Sequence, residues 1–441
     1  MLGGNRLSGR SGRWSILAAQ PRLIFESASG RGWQVWTDQK TRTGGDDALA
    51  GLDSLLKAHG LDGTDPHQLD PELPFQGGLI GFLSYDLAPR IEKVPRRVLA
   101  DSRLPTLRFG LYDTFALFDH ERDQASLWAV DLLDEGEIAV EVRLESWANR
   151  LKEPANPSTH RANLGPVVAD QGRGDYLDRV ERSKRYIEAG DIFQVNLSQR
   201  FSAQGAVDPL DLDVRLRARS PAPYSAYLRW DDLAIVSVSP ELFYETEGRR
   251  IITRPIKGTR PRSSNPRVDA DLAAELIASL KDQAELTMIV DLERNDLGRV
   301  CDYGSVRVVE PRVLESFQNV HHTVATVEGR LRADATPIDV VRAMFPGGSI
   351  IGAPKIRAME IIDELEPCRR GIYTGAIGYW SANGRSAFNI AIRTIVVEGP
   401  RITYHVGGGI VADSDPAQEY QETLDKGRTL FATLNRLGIE S

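Results

Sequence analysis

The alternation of apolar and polar positions changes along this chain, and the first part reads as a series of short strands. Apolar runs separated by turns occur at Gln34–Thr37, Leu79–Leu83 and Leu127–Leu132, a pattern typical of β-structure. One helical pattern interrupts them at Ala48–Ala58. We therefore predict a β-rich N-terminal region over residues 1–151.

A polar segment over residues 152–174 follows, rich in Pro, Asn, Gly and charge, with neither a helical nor a strand period. We interpret it as a surface linker. In residues 175–441 the pattern predicts pairs of strands and blocks of helix. The predicted helices are Tyr176–Ala189, about Val268–Leu297, Thr336–Met344, Pro354–Leu365 and Pro416–Leu437. The predicted strands are Phe193–Phe201, Tyr224–Leu228, Leu233–Val238, Arg250–Thr253, Tyr373–Trp380, Phe388–Val397 and Ile402–Val406. This order favours an α+β fold, a large two-lobed unit with antiparallel β-sheets flanked by helices.

Charge and cysteine content narrow the class of protein. A formal net charge of -8 argues against a nucleic-acid-binding protein, which would be basic. The two cysteines, Cys301 and Cys368, form no disulfide framework or metal-binding spacing, which suits a reducing compartment. Residues 1–14 lack the apolar core of a signal peptide, and no apolar run approaches the roughly 20 residues that span a bilayer. We expect a cytoplasmic protein with no membrane segment.

Three glycine-rich stretches are candidates for ligand binding: FPGGSIIGAPK at Phe345–Lys355, YTGAIGY at Tyr373–Tyr379 and GGGIVADS at Gly407–Ser414. Glycines let the backbone approach a ligand closely and expose N–H groups to an anion. A helix starting near Pro354 would add a positive N-terminus that suits a carboxylate or phosphate. None of the three has a nucleotide-binding spacing, and turn geometry alone is the competing interpretation.

Acidic residues form a second candidate site. Asp415 and Pro416 read as the cap and first residue of a helix, which puts Glu419 and Glu422 on one face of it. Glu285 lies at the edge of an apolar run in the long predicted helix. Carboxylates without cysteine or histidine partners suit magnesium. By spacing alone, a solvated acidic helix face is the more ordinary interpretation.

A histidine pair and a lysine complete the candidates. His321 and His322 are adjacent on a predicted strand, so we expect one to enter a cleft and the other to be exposed. Lys257, in RPIKGTR, follows a predicted strand and precedes a turn. A lysine there can project into a cleft and act as a nucleophile or base. By themselves, these residues are more ordinarily interpreted as a structural histidine pair and a surface lysine.

Taken together and in order, these segments resemble the chorismate-utilising enzymes, a family of anthranilate, aminodeoxychorismate, isochorismate and salicylate synthases. The resemblance covers about residue 175 to the C-terminus, and FQGGLIGFLSYDLAPRIE extends it more weakly into the first region. The matching segments are GDIFQVNLSQRF, SPELF, RPIKGTRPR, DQAELTMIVDLERNDLGRV, SFQNVHHTVATVEG, FPGGSIIGAPKIRAME, RGIYTGAIGY, NIAIRT and GGGIVADSDPAQEYQETLDKGR.

The resemblance implies a role for each candidate. Glu285 and Glu422 correspond to magnesium ligands, with Glu419 nearby. Glu241, in SPELF, corresponds to a general acid/base beside the departing C4 hydroxyl, and His322 to an active-site histidine. The implied substrate contacts are Ser349 (a position often held by Thr), Tyr373, Arg393, the backbone of Gly407, Gly408 and Gly409, and Lys426.

Two positions discriminate within the family. Anthranilate synthases typically have Ala where this chain has Lys257, whereas aminodeoxychorismate synthases typically have Lys. Isochorismate and salicylate synthases carry a lysine base where this chain has Gln194. The resemblance thus implies amination of chorismate at C4, with Lys257 as nucleophile, giving 4-amino-4-deoxychorismate for 4-aminobenzoate and folate biosynthesis. Conversion to 4-aminobenzoate itself would need a separate lyase.

Partners follow from the same resemblance. No segment resembles a glutaminase triad, so ammonia is expected from a separate glutamine amidotransferase subunit. The segment LIFESASG resembles one that lines a tryptophan pocket in this family. The alternatives are anthranilate synthase-like C2 amination, a paralogue making another aminated chorismate, and a non-catalytic tryptophan-binding relative.

Overall fold

The structure, a computed structural model, describes residues 1–3, 12–28, 32–37, 40–63, 70, 72–154 and 163–439, with side chains up to residue 434. The described residues form ten α-helices. These are α1 Ala48–Ala58, α2 Ala88–Ile91, α3 Glu137–Lys152, α4 Arg173–Glu188, α5 Pro209–Arg219, α6 Pro266–Ala278, α7 Leu280–Gly298, α8 Pro337–Met344, α9 Lys355–Leu365 and α10 Pro416–Ile439.

The same residues form 24 strands. In chain order they are β1 Leu2–Gly3, β2 Trp14–Ala18, β3 Leu23–Ser27, β4 Trp33–Thr37, β5 Thr41–Thr43, β6 Gly78–Leu83, β7 Leu107–Tyr112, β8 Thr114–Asp119, β9 Gln124–Ala129, β10 Asn163–Leu164, β11 Val168–Ala169, β12 Gln194–Ala206, β13 Tyr224–Trp230, β14 Leu233–Ser239, β15 Leu242–Glu247, β16 Arg250–Arg254, β17 Ile256–Pro261, β18 Arg307–Ser316, β19 Val320–Arg330, β20 Gly352–Ala353, β21 Ala376–Ser381, β22 Ser386–Ile390, β23 Thr394–Glu398 and β24 Arg401–Ile410.

Two large antiparallel sheets contain all of these strands. The first runs β10-β12-β24-β23-β14-β13-β1-β2-β8-β9, with β11 and β20 also paired to β12. The second runs β17-β19-β16-β15-β22-β21-β6-β7-β3-β4-β5, with β18 also paired to β19. The predicted α+β fold with antiparallel sheets is confirmed.

Strands from the beginning of the chain pair directly with strands from its end. In the second sheet β6 lies beside β21, with Ile80 opposite Tyr379, and in the first β1 lies beside β13. The sheets therefore cross the boundaries we predicted at residues 151 and 174. The division into an N-terminal region and a catalytic domain stays an interpretation of the sequence.

The alternation of side chains along β6 explains how one strand serves two cores. Ile80 and Phe82 face a core between the two sheets, whereas Leu79 and Leu83 face a larger core that α1 and α8 cover. Residues two apart on a strand share a face, so an uninterrupted apolar run fits a strand that is covered on both sides. A third core packs α5 and α10 on the first sheet.

Three predicted elements differ from the observed ones because of local interactions. The predicted helix Val268–Leu297 is two helices, since Ser279 ends α6 and caps α7 by accepting a hydrogen bond from the Asp282 amide at 3.2 Å. The predicted strand Phe388–Val397 is split into β22 and β23 by Arg393, whose φ of 50° turns the chain. The predicted strand Leu127–Leu132 lies earlier, as β9.

The segment interpreted as a surface linker contains regular structure. β10 and β11 are two-residue strands that pair with β12, and α4 begins at Arg173. Edge backbone groups of the long β12 are paired in this way, which the composition of the segment did not indicate. Residues 155–162 of the linker, and residues 4–11 of the segment tested for a signal peptide, lie outside the described residues. No helix in the described part of the chain has the length and apolar character needed to cross a membrane.

Candidate active site

The predicted nucleophile and one predicted metal ligand meet between β17 and α7. Lys257 Nζ lies 2.8 Å from Glu285 Oε1, and the Gln194 side-chain amide donates to the same oxygen at 2.7 Å. Gly258 makes this approach possible. Its φ is +78°, and a Cβ there would lie 2.8 Å from Leu276 Cδ1, so a side chain would push β17 away from the helices.

The environment of Glu285 holds it ionised. Burial by itself would raise the pKa of this carboxyl, but the charge of Lys257 and the hydrogen bonds from Lys257 and Gln194 outweigh burial and lower the pKa. Gln194 Oε1 is buried and has no partner among the described residues. Glu285 is therefore an anionic centre with a lysine on one side and an unused amide acceptor close by.

The environment of Glu241 raises its pKa, whereas that of Glu285 lowers it. It lies between β14 and β15, is 4% exposed, and accepts a hydrogen bond from Ser349 Oγ at 2.6 Å and a longer one from the Ile256 amide at 3.4 Å. Burial raises its pKa, and the Ser349 hydrogen bond and the charge of Lys257 offset that only in part. A buried carboxyl with a raised pKa has the property that a general acid needs.

Arg393 and His322 lie on another side of the same site. The Arg393 guanidinium makes no hydrogen bond or ion pair with any described residue, and burial lowers its pKa while the charge of Glu241 opposes that effect. Burial, together with the charge of Arg393, lowers the pKa of His322 to about 3. His322 is therefore a neutral imidazole, with Nδ1 2.9 Å from Thr259 Oγ1 and a buried, unpartnered Nε2.

The expectation that one histidine of the pair would be exposed is wrong. His321 and His322 are 3% and 2% exposed. His321 contacts Ser316 at 2.8 Å and Asp269 at 3.0 Å, because β18 and α6 cover the side of β19 that we expected to face solvent.

The three consecutive glycines lie within β24, where they face β12. Asn196 is opposite Gly409 and Ser198 is opposite Gly407, whereas the pairing of β24 with β23 covers only Arg401 to Tyr404. Among the described residues, the other edge of the glycine segment thus has no strand partner. Outward N–H groups on that edge are free to bind an anion.

The glycines also bring the remaining candidates close to the backbone. A Cβ would lie 2.8 Å from the Tyr373 hydroxyl at Gly407, 3.1 Å from Glu419 Oε2 at Gly408, and 3.2 Å from Glu285 Oε1 at Gly409. Any side chain at these positions would fill the space between the acidic groups and the tyrosine. Tyr373 is buried, which raises its pKa and keeps the phenol a hydrogen-bond donor.

The first turns of α10 carry the other acidic residues. The Asp415 side chain accepts from the Gln418 amide at 2.9 Å, which confirms the predicted cap. Glu419 is buried and accepts from Ser414 Oγ at 2.6 Å, and burial raises its pKa. Glu422 is exposed and lies 2.6 Å from Lys426 Nζ, which also donates to the Gly407 carbonyl at 3.2 Å.

Five of the predicted site residues therefore gather around the glycine segment of β24, and Lys257 joins them through Glu285; the five are Glu285, Tyr373, Glu419, Glu422 and Lys426. They do not form a ready metal cluster, since no group of three or more His, Cys, Asp or Glu side chains in the described part of the chain is placed to hold a metal ion. Glu285 is paired with Lys257, and Glu422 with Lys426. The donor chemistry nonetheless fits magnesium, because carboxylate oxygens border the space that glycines leave open.

Several residues of the site were missed from sequence or given no role in it. Gln194 was used only to distinguish families, and Thr259, Glu293, Asp296 and Lys355 were not identified. The available signal was the spacing of Glu285 and Glu293, eight residues apart and hence on one face of α7.

Apart from this site, a cavity lies between the sheets, where the predicted tryptophan-binding segment forms β3. It has a volume of about 310 Å³ and is lined in part by Glu26, Trp36, Arg108 and Trp230. Arg108 contacts Glu26 and stacks over Trp230 at 4.9 Å. The end of the predicted segment, residues 29–30, lies outside the described residues.

The chain has two antiparallel sheets, and one site combines a lysine, buried acids and a strand of glycines. These features define a class of protein, which comparison with known proteins identifies. The chorismate binding enzyme family matches residues 13–432. This chain belongs to that family.

Individual relatives carry two different names. Aminodeoxychorismate synthase component 1 of Klebsiella aerogenes is 42% identical, covering 94% of this chain and 88% of the relative. Anthranilate synthase component 1 of Thermus thermophilus is 41% identical, covering 96% and 89%. The crystal structure of anthranilate synthase component I from Streptococcus pneumoniae matches with a TM-score of 0.85 at 32% identity, over 97% of this chain and 95% of that one. The family and fold are thus shown, but the identities do not separate the two activities.

Proposed function

We propose that this chain aminates chorismate at C4, as an aminodeoxychorismate synthase component, with Lys257 as a covalent nucleophile. The observation that carries the proposal is the position of Lys257. Its Nζ lies 2.8 Å from Glu285, and the amide of its neighbour Ile256 faces the buried acid Glu241. The charge of Lys257 also acts on Glu241, so the proposed nucleophile and the proposed acid lie close enough together for a covalent mechanism.

In the proposed reaction, Glu241 donates one proton to the leaving hydroxyl and later recovers one from the new amine. Lys257 Nζ, unprotonated, forms a bond to C2 as the ring double bonds shift and the C4–O bond breaks. Glu241 donates its proton, so the C4 hydroxyl leaves as water. Ammonia then forms a bond to C4, the C2–N bond to Lys257 breaks, and the proton lost by the new amine returns to Glu241. The sum is chorismate and ammonia giving 4-amino-4-deoxychorismate and water, and two easier steps replace one displacement.

Other residues would orient the substrate. Chorismate is a dicarboxylate, and Arg393 is a cation without a protein partner among the described residues, so it is suited to one carboxylate. Tyr373, the free edge of Gly407–Gly409 and Lys426 supply further donors. The neutral His322 can donate or accept through Nε2 without adding charge.

Magnesium is proposed as the cofactor. Glu285 and Glu422 would hold it, with Glu419 nearby, and the ion would neutralise a substrate carboxylate and fix the ring. Holding it would require Glu285 to exchange its contact with Lys257, which would also free that amine from its ion pair.

Two residues favour C4 amination over the other reactions. The lysine at position 257 distinguishes this chain from the alanine typical of C2-aminating relatives. Gln194 stands where isochorismate and salicylate synthases carry a lysine base, and its side-chain amide contacts Glu285 at 2.7 Å without offering a base. Amination at C2 by direct attack of ammonia is the competing reaction.

The test is mass spectrometry of the protein and of its product. Incubation with chorismate and magnesium, without ammonia, should give an adduct on the wild-type peptide that contains Lys257. Lys257→Ala should give none, whereas Lys57→Ala, a remote exposed lysine paired with Asp53, should keep the adduct. With ammonium salt, wild type should form the 4-amino product that retains the enolpyruvyl group. Anthranilate instead would refute C4 amination, and an unchanged rate and product in Lys257→Ala would refute the nucleophile.

Tryptophan binding in the cavity beside β3 is a separate proposal. The cavity is within the usual size of ligand pockets, and Glu26 and Arg108 offer opposite charges for an amino acid's ammonium and carboxylate. Titration calorimetry with tryptophan should give heat that Arg108→Leu abolishes. Wild-type protein without measurable heat would refute it.

A further inference from the structure

Two further buried acids lie on α7, near the proposed general acid. Glu293 and Asp296, on the face of α7 that continues from Glu285, are each 2% exposed. Asp296 pairs with Lys355 at 2.5 Å, and Lys355 also donates to the Met344 carbonyl at 3.0 Å. Lys355 and Met344 flank the glycine-rich segment of residues 345–354, so this network ties the two ends of that segment to α7.

Glu293 holds the middle of the same segment. The Glu293 carboxyl lies against Gly348: a Cβ on Gly348 would lie 3.2 Å from Glu293 Oε1, and the Gly348 amide acts to lower the pKa of Glu293. The next residue is Ser349, which donates to Glu241 at 2.6 Å. A continuous chain of contacts therefore runs from Glu293 through Gly348 and Ser349 to Glu241.

The charge state of Glu293 suits this position. Burial, and then the neighbouring Asp296, raise its pKa well above the usual value, and Glu241 adds to the effect while Lys355 and the Gly348 amide oppose it. Glu293 Oε2 is buried with no partner among the described residues. A neutral acid there contacts Gly348 without placing a second negative charge near Glu241.

We propose that Glu293 is a positioning residue for Glu241, acting through the Gly348 amide and the Ser349 hydroxyl. The proposal rests on the proposed function only in taking Glu241 as the acid that protonates the departing hydroxyl. It predicts that the acceptor atom of Glu293 matters, and that its charge does not.

A double-mutant cycle on chorismate consumption tests this. Ser349→Ala and Glu293→Met should each lower kcat by about tenfold or more, with KM little changed, the loss expected for one misplaced hydrogen bond to a catalytic acid. The double variant should be no slower than Ser349→Ala, because both changes break one chain of contacts. Glu293→Gln, which keeps an uncharged acceptor, should restore most of the rate. A double variant whose loss of kcat is the product of the two single losses would overturn the proposal. So would a Glu293→Gln variant as slow as Glu293→Met.

A measurement on the free protein separates this proposal from the proposed function. The Glu241 carboxyl can be titrated by infrared spectroscopy, with its band identified as the one missing from Glu241→Gln. The pH at the midpoint of this titration should rise in both Glu293→Met and Ser349→Ala, and by similar amounts. An unmoved titration in Glu293→Met would overturn the positioning role whatever product the enzyme makes. A shared shift in an enzyme that proves to make anthranilate would support the positioning role and refute C4 amination alone.

Discussion

Removing the Ser349 hydroxyl is the most direct perturbation of the proposed general acid. The bond from Ser349 Oγ to Glu241 Oε1 is 2.6 Å long, both residues are buried, and Ser349 favours the ionised form of the carboxyl. A hydrogen bond to a charged group contributes about 1.5–3 kcal/mol. At about 1.4 kcal/mol per pKa unit, Ser349→Ala should raise the pKa of Glu241 by roughly one to two units.

The sign of the effect on rate follows from the role of Glu241. As an acid it must be protonated, so activity falls as pH rises through its pKa. With that pKa raised, Ser349→Ala loses activity at higher pH than wild type does. Below both pKa values the ratio of variant to wild-type kcat/KM should be well below one, because the acid has lost the hydrogen bond that positions it. Between the two pKa values the ratio should rise with pH by up to about tenfold per unit.

The assay measures this ratio at each pH with the same ammonium salt, so that the changing fraction of free ammonia cancels. Ser349→Thr is the matched control, because it keeps the hydroxyl. Stability gives a second measurement: a carboxyl whose folded pKa is raised costs stability as pH increases, so the variant should lose unfolding free energy relative to wild type at high pH. A ratio that is flat or falls with pH would refute the reasoning.

Three further predictions concern metal, histidine and nitrogen source. Glu285→Gln and Glu422→Gln should each lower turnover by orders of magnitude without unfolding the chain, and full wild-type activity in excess chelator would exclude the metal. His322 has a folded pKa of about 3, so below about pH 6.5 it must take up a proton when the chain unfolds. The unfolding free energy of wild type should therefore fall with decreasing pH between about pH 6.5 and pH 3, by up to about 1.4 kcal/mol per pH unit relative to His322→Gln. Urea denaturation at about pH 7 and about pH 5 measures this, and equal pH dependence in the two proteins would contradict a buried neutral histidine. Ammonium salt at raised pH should support product formation by the purified chain and glutamine alone should not, and glutamine-driven product would show that no separate glutaminase is needed.

Much of the local structure follows from sequence because the signals are local. Asp415 and Pro416 define the start of α10 by capping geometry, and the predicted helix Ala48–Ala58 matches α1. The errors occur where one side chain or backbone angle overrides periodicity. Ser279 divides an otherwise continuous helical pattern, and the positive φ of Arg393 divides an apolar run into two strands.

The charge states of the site residues depend on the tertiary structure and could not be predicted from the sequence. Lys257, Glu285 and Gln194 are on three separate elements, and only their packing puts a lysine and an amide on one carboxylate oxygen. His321 and His322 follow the strand period, yet both are buried, because residues from α6 and β18 cover one of them.

By itself the sequence determined the chemistry available to this protein: the order of its motifs, the lysine at position 257 and the glycines of β24. Only the tertiary structure decided that Glu241 is a buried acid held by Ser349, that Glu285 is an anion, and that Glu293 lies behind them. The physical reason is that capping, turns and periodicity depend on near neighbours along the chain. Desolvation and ion pairing instead depend on which distant segments exclude water from a group.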